Sequence, residues 1–90
     1  MEEKFLAAVA AARTQAEKLG VRIRPVTDVA AAHRCLSGHR ESDGFYALAD
    51  KNRLDLSLEA LAVKKEFTAL FNDMEANTAL HRLLSAGYAF

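Results

Sequence analysis

The sequence predicts an all-α or nearly all-α fold, a compact bundle of about five short helices with at most a small strand pair. Three observations predict it. Alanine fills 18 positions and leucine 12, while Pro25 is the only proline, a composition that favours helix over strand. Apolar residues recur at spacings of three and four between capping signals and glycine stops. Residues 53–88 hold most of the large apolar side chains and three successive helix starts, so the rest of the chain reads as scaffold around them. Ninety residues, 51% of them hydrophobic, form one domain, residues 1–90, able to bury roughly 60–65% of its unfolded surface.

The first helix runs from Glu2 to Leu19, with Phe5, Val9, Ala12, Ala16 and Leu19 on one face, Glu2 and Glu3 favoured by the helix dipole, and Gly20 as its stop. Val21 to Val26, VRIRPV, alternates apolar residues with arginine and reads as an extended segment or edge strand. Thr27 or Asp28 caps a second helix to about Ser37, with Val29, Ala32, His33 and Leu36 on its stripe and Gly38 ending it. After the polar loop SGHRESDG, Ser42 or Asp43 caps a third helix that turns Phe45, Leu48 and Ala49 inward and ends near Asn52.

Asp55 or Ser57 starts the next helix. Were it continuous to Phe71, Leu58 and Leu61 would lie nearly opposite Val63, Phe67, Leu70, Phe71 and Met74, giving the rod two apolar faces. A break at Lys64 and Lys65 removes the conflict: one helix over about 57–63 and a second over about 66–71. Asn72 or Asp73 then caps a last helix to Ser85 or Ala86, with Ala76, Ala79, Leu80, Leu83 and Leu84 inside and Gly87 at its end.

Twelve basic and twelve acidic residues cancel, so no global field draws the chain to nucleic acid or an anionic membrane. The single cysteine, Cys35, forms no internal disulfide and suits a reducing cytoplasm; no signal peptide or membrane span is expected. His33, Cys35 and His39 hold residue types of a metal site, but Cys35 lies about 200° from His33 around a helix and His39 falls beyond the Gly38 stop. Ser37, His39, Ser42 and Asp43 supply hydrolase residue types without a glycine-flanked nucleophile, and Gly38, His39 and Arg40 lack the strand-loop-helix setting of a phosphate cradle. No catalytic residue, cofactor or metal is therefore assigned.

DLSLEALA, followed by a capped helix ending in ALHRLLSAGY, resembles the end of helix-turn-helix domains, and Leu80, Leu83, Leu84, Gly87 and Tyr88 match the close of a winged-helix recognition helix. The resemblance covers about a third of the chain and implies a small, dimeric DNA-binding regulator. Its outward face would carry Glu75, Thr78, His81, Arg82 and Ser85, among which only Arg82 is reliably cationic, and no wing is expected after Tyr88. DNA binding would then depend on Arg22, Arg24, Arg34, Arg40 and Arg53. The function expected instead is a non-enzymatic, cytoplasmic interaction module that binds a protein partner, or itself as a homodimer, with no membrane role. Its surface is the loop with His39, Arg40, Glu41 and Asp43 beside Tyr46, joined by Glu75, Thr78 and Arg82 on the outer face of the last helix. Core burial is the simpler fate for the Tyr46 ring.

Overall fold

The computed structural model describes residues 2–23, 26–38, 40–42 and 44–88. Among these residues five α-helices follow one another: α1 Glu2–Lys18, α2 Val29–Ser37, α3 Phe45–Asp50, α4 Leu58–Ala62 and α5 Asp73–Ser85, with 3₁₀ turns at Leu54–Leu56 and Thr68–Leu70. No strand occurs among the described residues. Val21–Ile23 and Val26 run as irregular backbone, because an isolated extended segment finds no neighbouring strand to pair with; Arg24 and Pro25, between them in the expected edge strand, lie outside the described residues. The Cα radius of gyration is 11.7 Å, close to the roughly 12 Å of a compact chain this long.

Local chemistry accounts for most boundaries. Asp28 caps α2 by accepting from the Ala31 amide at 2.8 Å, and Ser57 caps α4 by accepting from the Ala60 amide at 3.1 Å. Asn72 and Glu75 form a reciprocal capping box at the start of α5, in which each backbone amide donates to the other's side chain. The break at Lys64 and Lys65 is present: α4 stops at Ala62, and the chain turns through Lys64, whose carbonyl accepts from the Phe67 and Thr68 amides. The connection between α4 and α5 runs from Val63 to Asn72, longer than the three or four residues that join the helices of a DNA-binding helix-turn-helix.

The third helix starts differently from expectation. Its N-cap is Gly44, in the left-handed region at φ 77°, and not Ser42, whose hydroxyl is engaged with Glu59; Asp43 lies outside the described residues. Asn52, at φ 58°, provides the left-handed residue after α3.

Two apolar clusters make up the core. Phe5, Val9 and Ala12 pack with Val29, Ala32 and Leu36 of α2, with Leu58 and Leu61 of α4, and with Phe67 and Phe71. The Phe5 ring meets Phe67 and Phe71 edge-on at 5.3 and 5.2 Å. The second cluster joins Ala16, Val21, Phe45, Leu48, Leu54, Ala60 and Leu83. Lying between the two, α4 has all five residues buried, Glu59 included. Phe45 takes the core position in α3, so the adjacent Tyr46 ring, expected inside, is 65% exposed.

The last helix is rotated relative to expectation. Leu80 and Leu84, placed inside by sequence, are exposed, and the buried residues are Glu75, Ala79, Arg82 and Leu83. The inward direction has turned by about 80° around the axis, because two charged side chains, Arg82 paired with buried Glu59 and Glu75 paired with part-exposed His33, occupy positions the leucines would otherwise take.

Gly44 supplies a test of this packing. A Cβ there would stand 2.9 Å from Ile23 Cγ1 and 3.2 Å from Val21 Cγ1, on a backbone that L-residues rarely adopt. Gly44→Ala is expected to lower unfolding stability in urea by about 1–3 kcal/mol, from left-handed strain and displacement of these side chains. An unchanged urea midpoint would contradict the packing described.

Candidate functional site

The site is built backwards from a buried ion pair. Glu59 is fully buried in α4, Arg82 of α5 is 8% exposed, and Arg82 Nη1 lies 3.2 Å from Glu59 Oε2. Burying two charges costs several kcal/mol per ion unless every remaining lone pair and proton finds a partner. Here they are well supplied. Glu59 Oε2 also accepts from the Ser42 amide at 2.8 Å and Oε1 from the Ser42 hydroxyl at 2.5 Å. Arg82 donates in addition to the carbonyls of Cys35 at 3.3 Å and Gly38 at 2.9 Å. Those carbonyls lie in and just beyond the last turn of α2, where helix geometry leaves acceptors unpaired and a cation is favoured. Among the described residues, no buried side-chain nitrogen or oxygen lacks a partner.

A second polar contact lies further along the α2–α5 interface. His33 Nδ1 is 2.6 Å from Glu75 Oε2. An ionised carboxylate only accepts, so Nδ1 carries the proton in this bond. Burial alone would push the Glu75 carboxyl up, but hydrogen bonds from the Asn72 amide, His33 and Ser37 outweigh it and hold the group below its ordinary value.

On this support, the loop after α2 and the outer face of α5 form a shallow, two-part groove. One part, about 450 Å³, is bounded by Gly38 and Glu41 on one side and by Met74, Asn77, Thr78 and His81 on the other, with Arg82 behind them. The other, about 350 Å³, includes Arg40, Tyr46 and again Glu41. The Tyr46 hydroxyl donates to Glu41 Oε2 at 2.8 Å. That bond lowers the Glu41 carboxyl and raises the Tyr46 phenol. Tyr46 is held from the other side by an edge-on contact with Phe45 at 5.6 Å.

The expected partner-binding residues are therefore divided. Arg40, Glu41, Tyr46 and Thr78 do line the groove. Glu75 and Arg82 are not on the outer face of α5: both are buried, their charges committed to His33 and Glu59. His39 and Asp43 lie outside the described residues. The sequence reading did not single out Met74 as a site residue, although it is 78% exposed. It also overlooked Asn77 and Glu59. The available signal was the spacing Glu75, Ala79, Arg82, which places two opposite charges on one helical stripe around a small residue.

The DNA-facing set is likewise altered. Arg82, the one dependable cation of the supposed recognition helix, is unavailable to phosphate. Arg53 pairs with Asp55 at 3.1 Å, whereas Arg22, Arg34 and Arg40 are exposed; Arg24 lies outside the described residues. The Gly38 amide donates to the Cys35 carbonyl at 3.3 Å, which removes it as a phosphate ligand. Cys35 is part-buried, with its thiol pushed up by burial and by the nearby Glu59 charge, in part offset by Arg82. Among the described residues, no group of three or more His, Cys, Asp or Glu is arranged to hold a metal ion. No described helix is long and apolar enough to cross a membrane.

No protein-family model matches the chain, and neither a curated protein nor a solved structure does.

The Glu75 contacts carry a pH signature. Because its folded carboxyl titrates below the ordinary 4.5, the stabilisation is fully present above about 4.5 and is lost as pH falls through the folded value. Wild type is expected to exceed Glu75→Gln by about 1–2 kcal/mol in urea unfolding near neutrality, with the gap narrowing only below about pH 4.5. A gap that persists unchanged in stronger acid would contradict this assignment.

Proposed function

We propose that the chain is a non-enzymatic interaction module that binds a protein partner through the outer face of α5 and the groove that part of this face forms with the loop after α2. The observation that carries the reading is the apolar content of that free face. Met74 is 78% and Leu84 56% exposed, and Leu80 is exposed with them. On a helix these three fall within an arc of about 120°, with Asn77 and His81 between them. The opposite arc is the one that meets the core. Large apolar side chains presented together, bordered by polar groups, are the composition of a protein-binding patch.

The loop adds a second kind of contact. Tyr46 presents an aromatic ring oriented by its bond to Glu41, and Arg40 stands exposed beside it. Tyrosine and arginine are the residue types that most often dominate binding energy in interfaces. Ser42 anchors the same loop to buried Glu59, so little ordering entropy is lost on binding. The exposed arginines offer less support for a DNA-binding regulator, since the phosphate-facing cation of the last helix is already paired inside.

Met74→Asp with Leu84→Asp tests the reading. Both positions are exposed, so unfolding stability is expected to change by no more than about 0.5 kcal/mol each. A photo-crosslinker at Asn77 should capture a protein partner in native extract, or a second copy of the chain, and the double substitution should abolish that capture. Capture that survives the substitutions would overturn the surface. Salt-dependent binding to random duplex DNA, lost on Arg22→Gln with Arg40→Gln, would overturn the function.

A further inference from the structure

A second concavity lies away from the α5 groove. It encloses about 410 Å³ and is bounded by α1, the segment that follows it, α2, and the start of α4. That volume falls within the roughly 300–1,000 Å³ range of small-molecule sites. Its lining is graded. Val9, Leu58 and Leu61 are buried and form an apolar floor, whereas Arg34 is exposed and Arg13 half-exposed.

Among the described residues of this lining, the charges are all of one sign. Arg13 and Arg34 are both present, and no aspartate or glutamate is found among the described residues that line the cavity. Arg13 is oriented by donating from Nε to the Ile23 carbonyl at 2.8 Å, and its Nη2 lies 3.4 Å from Glu17. Arg34 is exposed and forms no ion pair or side-chain hydrogen bond with the described residues, and its planar fork suits an oxyanion. A ligand that satisfies both ends needs an apolar body and one acidic group.

We propose that this cavity is a non-covalent binding site for a small amphipathic carboxylate of the medium-chain fatty-acid class, its chain on the Val9, Leu58 and Leu61 floor and its carboxylate at Arg34 and Arg13. Cys35 lines the same cavity and is the chain's only cysteine. Its thiol is held mostly protonated by burial, which makes it a poor nucleophile toward the ligand but a useful reporter of occupancy.

The experiment is a calorimetric titration with decanoate, paralleled by the rate at which Cys35 reacts with an aromatic disulfide reagent. Decanoate should bind one to one and slow the thiol reaction at least about fivefold, as a ligand covering Cys35 would. Each methylene removed should weaken binding roughly fourfold, so octanoate should bind more than about tenfold less tightly. Arg34→Gln, at an exposed position, should weaken decanoate about tenfold while the circular dichroism spectrum stays unchanged. Decanol, which lacks the charge, should bind far less tightly than decanoate. The proposal is overturned if decanoate shows no saturable binding at concentrations below its self-association, if decanol binds as tightly, or if Arg34→Gln leaves the affinity unchanged.

Discussion

The arrangement of the molecule depends on the buried pair of Glu59 and Arg82. Each residue belongs to a different helix, and between them they also hold the end of α2 and the loop that follows it. Arg82 gathers the carbonyls at the end of α2, and Glu59 gathers the backbone and hydroxyl of Ser42. Four parts of the chain are thus joined through one guanidinium and one carboxylate. An apolar pair of similar volume could pack as well, but it could not donate to the Cys35 and Gly38 carbonyls or accept from the Ser42 amide.

The pair also determines what the surface looks like. With Arg82 and Glu75 turned inward, α5 is rotated about its axis, and Leu80 and Leu84 are carried outward to join Met74. The apolar face that α5 turns outward is therefore a consequence of polar contacts in the interior. The same inward rotation takes the last helix's cation away from any nucleic acid. The loop that borders the groove is fixed by the Ser42 contact, and this explains how a polar, glycine-containing connection can present Tyr46 in a defined position.

Much of the fold was legible in the sequence because its signals are local. The stripe Phe5, Val9, Ala12, Ala16 defines α1, and Asp28, Ser57 and Asn72 each cap the helix that follows through a bond spanning three residues. The break at Lys64 and Lys65 could be read because the apolar residues before and after it cannot share one face. What could not be read depends on contacts far apart in the chain. Ser42 resembles a helix cap until Glu59, 17 positions away, takes its hydroxyl. The inner face of α5 differs from expectation because a charged residue counts as exposed until its partner on another helix is known. Arg40, Glu41, Tyr46 and Thr78 lie along the groove, whereas the fates of Glu75 and Arg82 were decided by His33 and Glu59.

A double-mutant cycle over Glu59→Gln and Arg82→Met, read by urea unfolding, tests the central role of this pair most directly. Each single change leaves a buried partner uncompensated and should cost about 3–5 kcal/mol, while the double change should cost less than the sum, with a coupling of about 1–3 kcal/mol. Costs that add to within about 0.5 kcal/mol would contradict the account, because two residues that organise four segments together cannot act independently.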